Sequence, residues 1–253
     1  MKKLVKLPSG DLGYLGSVHI ELEMKAKHFD MLSLARDGYY QESVLSVLRD
    51  LMDEDPWLLT YTDMVTLFTL VKCSSLGDKM IVTANCPNNV RLADGSTRQC
   101  GSKVKFDVRV TDSDIIYKKE SDVIPDFTMK IGDTVEVFKI KLPSMTQETE
   151  LLESYYERGY TSNDILGKNP DTKEISLEFS KKRLLSHLHT NKYSLDDLMG
   201  AWADMPMKDV AKLNESCLKA SKYGISHKKY IVQCKECGGK FDYRLPLSAG
   251  LVM

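Results

Sequence analysis

The chain has no long apolar run, no catalytic signature and almost no net charge, and each absence removes a class of function. Its longest greasy stretch, Met64 to Val71, is too short to span a bilayer. The opening MKKLVKLPSGDLG carries lysines but no apolar segment before Pro8, so a secretory signal is not expected and the chain is expected to begin in a cytosol. GxSxG, P-loop, GxGxxG and HExxH patterns are all missing, which leaves the common hydrolase, nucleotide and metalloprotease chemistries without a footing. Thirty-five basic residues against 36 acidic ones give a net charge of −1, and hence no overall attraction to nucleic acid. Glycine and proline are ordinary at 15 and 8 of 253 residues, and 42% of the chain is hydrophobic, so the composition is that of a folded protein with one large or two small cores.

Cysteine is present in small number but concentrated. Four of the six lie in two short segments that read alike: IVTANCP, an insert, then QCGSKVKFDVRV in the first, and KKYIVQCKECGGKFDYRLPL in the second. Each reads as strand, Cys, loop, Cys-Gly, Lys and then Phe-Asp-x-Arg. This is the pattern of a zinc knuckle, a tight turn between two strands whose backbone amides face the thiolates and whose glycine after the second cysteine permits a positive φ. Two knuckles make one tetrahedral four-thiolate site from Cys86, Cys100, Cys234 and Cys237. In a reducing cytosol clustered cysteines favour metal over disulfide. A CxxC can also be a redox pair, but that motif opens a helix, whereas CKECGGKFDYRL stays glycine-rich and then extended. The first knuckle carries thirteen residues between its cysteines instead of two, and a hairpin turning at Ala93-Asp94-Gly95 can grow out of it without parting the thiolates.

The organisation reads as bipartite. Lys6-Leu7-Pro8-Ser9 recurs as Lys141-Leu142-Pro143-Ser144, each beside a strand-like segment and followed by helical material and a knuckle. In the first half Val18, Ile20, Leu22 and Met24 alternate with polar residues, a strand expected to pair with residues 2–7. Helices are expected at 26–36 and 41–52, broken at Asp37-Gly38. A third, at 62–72, is capped by Thr60 or Thr62 and has so little polar surface that it belongs in the core. The second half begins with strands at 127–131 and 134–141 joined at Gly132-Asp133, and continues with helices at 146–158, 177–189, 194–205 and 207–222. The expected fold class is α+β: a mostly helical body with small β-hairpins and a split zinc-ribbon-like four-cysteine unit made of two knuckles. The expected divisions are 1–115 and 116–253, each ending in a knuckle and both joined by one zinc ion.

Other chemistry-bearing residues have plainer readings. Cys73 and Cys217 read as small buried hydrophobes. His187 and His189 point to different faces and read as a solvated helix end. Asp53-Glu54-Asp55 and Asp196-Asp197 fall where helix capping accounts for them. Lys181-Lys182-Arg183 and Lys228-Lys229 are short, lack interleaved aromatics and read as solvated faces.

In its order of segments the chain resembles the baseplate proteins of T-even-type contractile-tailed bacteriophages. An early LPSG is followed by a strand and helices, the segment TYTDMVTLFTLVK at 60–72, and a strand into a Cys-Pro…Cys-Gly knuckle. A second LPS then precedes a helical region, and a CxxCG hairpin closes near the last residue. The resemblance implies a structural or assembly role at the hub or inner baseplate and no enzymatic activity. It implies other phage tail and baseplate proteins as partners, with no small-molecule substrate, no membrane and no expected nucleic acid, and a place in the virion tail baseplate after assembly in the host cytoplasm. The family's knuckle cysteines map onto Cys86, Cys100, Cys234 and Cys237, with a structural Zn2+ as the implied cofactor. The alternative from the residues alone is a zinc-ribbon nucleic-acid-binding or transcription accessory protein. An enzyme, either thiol-redox or zinc hydrolase, is disfavoured because four thiolates leave no open metal position.

Overall fold

A computed structural model describes residues 1–33, 40–92, 95–111, 114–225 and 229–244. The expected break at Asp37-Gly38, the turn residues Ala93 and Asp94, Lys228, and the C-terminal 245–253 lie outside them. The fold is α+β, with eight α-helices and small antiparallel sheets among the described residues.

The chain opens with β1 (Lys3–Lys6) paired antiparallel to β2 (Ser17–Ile20), Lys3 opposite Ile20 and Lys6 opposite Ser17. Val18 and Ile20 point into the core and their neighbours outward, as the alternation predicts, although the strand stops at Ile20. Two helices follow, α1 (Ala26–Ser33) and α2 (Tyr40–Leu51), and then α3 (Tyr61–Leu76). Thr60 rather than Thr62 caps α3, its Oγ1 accepting from the backbone N–H of Asp63. Met64, Leu67, Phe68 and Val71 are buried along with polar neighbours, so α3 is enclosed on nearly every side. Its buried threonines are satisfied locally: Thr69 Oγ1 donates to the carbonyl of Val65 at 2.8 Å. Each fully buried apolar side chain here stabilises the fold by about 1.5–3 kcal/mol, and α2 and α3 contribute equally to the largest core cluster, with Val44, Leu45, Val47, Leu48 and Leu51 on one helix and Met64, Val65, Leu67, Phe68 and Val71 on the other.

Beyond α3 runs the long hairpin of β3 (Lys79–Asn85) and β6 (Lys103–Arg109). Between them a second hairpin, β4 (Asn89–Arg91) with β5 (Thr97–Gln99), grows out of the loop as the length of the insert predicts. A two-residue strand β7 (Ile115–Ile116) leads to β8 (Phe127–Ile131) and β9 (Thr134–Ile140). These two pair across Gly132-Asp133, with Gly132 at φ +56°, the position that a tight hairpin turn reserves for glycine.

The rest of the second half is helical: α4 (Met145–Glu157), α5 (Ser162–Ile165), α6 (Lys173–Leu185), α7 (Leu195–Trp202) and α8 (Met207–Ala220). Helix α6 starts four residues before the expected Leu177, because Asn169 and Pro170 set up a 3-10 turn that runs into it. It also ends four residues early, and the freed segment forms β10 (Leu188–His189), which adds to the edge of β9. Finally β11 (Gly224–Ile225) pairs with β7, and β12 (Lys229–Gln233) with β13 (Lys240–Arg244).

The two Leu-Pro-Ser segments meet at the start of α3. The Ser9 amide and hydroxyl both donate to the buried Asp63 carboxylate, at 3.0 and 2.6 Å. Ser144 forms a bridge with Thr60 and caps α4 through a reciprocal pair with Gln147. No described helix is long and apolar enough to cross a membrane.

Candidate metal centre

The β3–β6 and β12–β13 hairpins pack face to face, with Ala84, Val104, Val232 and Phe241 between them and Cys86 and Cys234 fully buried at one end. Phe106 and Tyr243 meet edge to face at 5.1 Å and also touch the main core, so the pair of hairpins is anchored to the body.

Each hairpin ends in the same turn. The Cys86 amide donates to the Ser102 carbonyl and the Gly101 amide to the Cys86 carbonyl. In the second hairpin, Cys234 donates to Gly239 and Gly238 to Cys234. Gly101 and Gly238 sit at φ +66° and +70°, the left-handed conformation that glycine adopts without a Cβ penalty. Position for position, Cys86 corresponds to Cys234, Cys100 to Cys237 and Ser102 to Gly239. On this register the two Lys-Phe-Asp stretches are offset by two residues, so Phe241 corresponds to Val104 and Tyr243 to Phe106. A shift of two preserves the face of a strand, which is why the phenylalanines point inward in both hairpins.

The structure brings all four expected cysteines together. Their sulfurs lie within 4.8 Å of one another, with Cys86 and Cys237 at 3.7 Å and Cys100 and Cys234 at 3.9 Å. A tetrahedron with metal–sulfur bonds of about 2.3 Å has edges of about 3.8 Å, so the donor set fits a zinc-sized ion. Burial pushes the Cys86 thiol up to about 12, whereas hydrogen bonds from the Ser102 hydroxyl and amide bring Cys100 down to about 7. Four thiols at this spacing could bind a metal ion as thiolates, whose charge a divalent cation would neutralise. Among the described residues no other group of three histidine, cysteine or acidic side chains lies close enough to hold a metal.

Two further residues face the sulfurs and are not singled out by any motif. Ser102 Oγ lies 3.1 Å from Cys100 Sγ, and Asn88 Nδ2 lies 4.0 Å from Cys237 Sγ. A Cys-x-Ser and a lone asparagine inside an insert carry no recognisable spacing, so only the fold reveals them.

The remaining candidates are absorbed by packing. Cys217 is buried, its thiol pushed up to about 12, and Cys73, in the last turns of α3, lies half-buried against the core. The two histidines are not at a solvated helix end. His187 is half-buried, with its Nδ1 3.0 Å from the Arg183 carbonyl, and His189 lies on β10, edge-on to Tyr14 at 6.2 Å. Burial lowers the pKa of both. Asp55 and Asp197 cap, as expected; Asp53 pairs with Lys2 and Asp196 with Lys182. In the basic run, Lys182 also pairs with Glu178 and Arg183 with Glu148, so it is a paired surface rather than a free cationic one.

Fold and site together define an α+β protein with a four-cysteine cluster, Cys86 and Cys234 buried and Cys100 and Cys237 half-buried, that could hold one metal ion. Residues 23–246 match the family model described as T4 bacteriophage base plate protein, and the chain belongs to that family. The family supports a structural component of a phage tail base plate, implies other phage tail proteins as partners, and suggests a role that is not enzymatic. No curated protein and no solved structure matches the chain significantly.

Proposed function

We propose that this protein is a structural and assembly component of the contractile-tail baseplate, in which Cys86, Cys100, Cys234 and Cys237 hold one structural Zn2+ that joins the N-terminal half, 1–115, to the C-terminal half, 116–253. The observation that carries this reading is the convergence of four thiols from two segments more than 130 residues apart into one cluster whose sulfurs all lie within 4.8 Å of one another. A bound zinc supplies fixed geometry and folding free energy, on the order of 10 kcal/mol in small modules. The chain supplies the rest: the backbone amides of the two turns set the cysteines, and Phe106 and Tyr243 hold the hairpins to the body. Four sulfurs fill the coordination shell, leaving no place for substrate water, in keeping with a role in contacts rather than turnover. Protein–protein contact with other tail proteins is then the function, and the β4–β5 hairpin and the apolar C-terminal 245–253 are the segments we assign to it. The insert 88–99 is longer than a metal turn needs, and 245–253 is apolar and directly follows the second knuckle in the sequence.

A phage carrying a deletion of the gene tests this. Arrested tail assembly without complete baseplates is expected, restored by the wild-type chain but not by one cut after Arg244. Normal virions from the deletion would remove the baseplate role and favour the nucleic-acid alternative.

A further inference from the structure

The two knuckles are alike in backbone but not in how their sulfurs are served. Cys100 has a side-chain donor within its own turn, the hydroxyl of Ser102 two residues on, at 3.1 Å. In the second knuckle the corresponding position is Gly239, which has no side chain to offer Cys237. Gly239 does not occupy the left-handed region, so its backbone conformation does not require glycine. The space does: a Cβ there would fall 2.5 Å from Nδ2 and 3.1 Å from Cγ of Asn88. Asn88 belongs to the insert of the first knuckle. Its carbonyl accepts from the Cys100 amide at 2.7 Å, which fixes its backbone, and its amide group crosses into the space above Gly239 to reach Cys237 Sγ.

We propose that Asn88 is a positioning residue for the thiolate centre: the first half supplies to Cys237 the side-chain donor that Ser102 supplies to Cys100, and Gly239 is the vacancy that admits it. The inference rests on the metal reading above. It gives the start of the insert a second task besides contact. A donor to a thiolate withdraws electron density from sulfur and disfavours its protonation and dissociation. Residues placed like this around a metal change affinity by about 10- to 100-fold when removed. Because this donor comes from the opposite half, it also couples the two half-sites, so that neither settles into its bound form without the other.

The test uses the full-length chain, with zinc release to a chromophoric chelator and the thiolate-to-cobalt charge-transfer bands of the Co2+-substituted protein as readouts. Asn88→Ala keeps the backbone bond to Cys100. It is expected to release zinc at least about tenfold faster and to move the cobalt bands to lower energy. Gly239→Ala, which expels the Asn88 side chain without replacing its donor, is expected to do the same. The double variant Asn88→Ala/Gly239→Ser rebuilds the Cys100–Ser102 arrangement in the second knuckle and is expected to restore both readouts, which a merely structural role for Asn88 would not allow. An Asn88→Ala protein with wild-type release and bands, or a double variant no better than the single, would overturn the proposal. A wild-type chain that takes up neither ion would overturn the metal reading itself, and with it this inference.

Discussion

Gly224 lies directly against Thr62: a Cβ built on Gly224 would come within 2.1 Å of Thr62 Cγ2, and the glycine sits at φ +107°. This contact seats β11 on the first turn of α3. Gly224→Ala faces both a disfavoured backbone and an overpacked contact, and is expected to cost about 2–4 kcal/mol in chemical denaturation. Thr62→Ser removes the offending methyl, so the double variant should recover part of that loss, leaving only the backbone share. Equal destabilisation of single and double variants would show that the contact does not limit packing.

Asp63 is the polar counterpart of this seat. Buried to 1% exposure, it accepts from the Ser9 amide and hydroxyl and from Thr60 Oγ1. Asp63→Ala leaves those donors without an acceptor and should cost about 3 kcal/mol, one of the larger losses available outside the cysteine cluster. Asp63→Asn keeps an acceptor for the Ser9 amide, and the two hydroxyls can turn to accept from the new amide, so it should cost clearly less. Thermal or urea unfolding of the two variants side by side checks the order.

Acid should act on a different carboxylate. Asp164 accepts from the Thr161 hydroxyl and amide, from Asn169 Nδ2 and from Thr172 Oγ1, and these bonds, Thr161 first, hold its carboxyl well below the usual range. A depressed folded-state pKa contributes stability that is fully present above the unfolded value of about 4 and is lost as pH falls toward the folded value. The stability gap between wild type and Asp164→Asn should therefore be constant from pH 7 to about 5 and narrow below about 4. The gap is the readout, because protonation of the thiols weakens metal binding in both proteins alike. A gap that widens on acidification would contradict the assignment.

Cysteines outside the cluster should be dispensable for metal. Cys73 lies on α3 against the first core cluster and Cys217 inside the second-half core, and neither belongs to the group of four clustered sulfurs. Cys73→Ala and Cys217→Ala are expected to retain full metal content, with about 1 kcal/mol lost at the buried Cys217 from the missing sulfur. Metal loss in either variant would mean that the ligand set is wrong.

That the four cysteines come together was legible because both hairpins carry the same local signal, a strand, a cysteine, and a Cys-Gly pair whose glycine takes the left-handed conformation, although the loops between the cysteines differ in length. The Gly132-Asp133 hairpin and the enclosed α3 were legible for the same reason, local chemistry matched to a strong period. Elements whose only reason is tertiary were not. Strand β10 is two residues long and exists because β9 offers it an edge, so no alternation marks Leu188 and His189. Helix α5 is a single turn organised around the Asp164 carboxylate, too short for a hydrophobic period. The two-residue offset between the Lys-Phe-Asp stretches is invisible in a string comparison, which favours matching letters over matching hydrogen bonds. Asn88 escaped because its meaning depends on the absence of a side chain at Gly239, more than 150 residues later.

Metal content tests the central claim most directly. Elemental analysis of the purified, reduced full-length chain should find about one zinc per chain. Cys234→Ser should abolish it and lower the unfolding midpoint, with the 229–244 hairpin becoming the first site of proteolysis. A reduced wild-type chain that carries no zinc, and whose unfolding is unchanged by added zinc or by Cys234→Ser, would contradict the account.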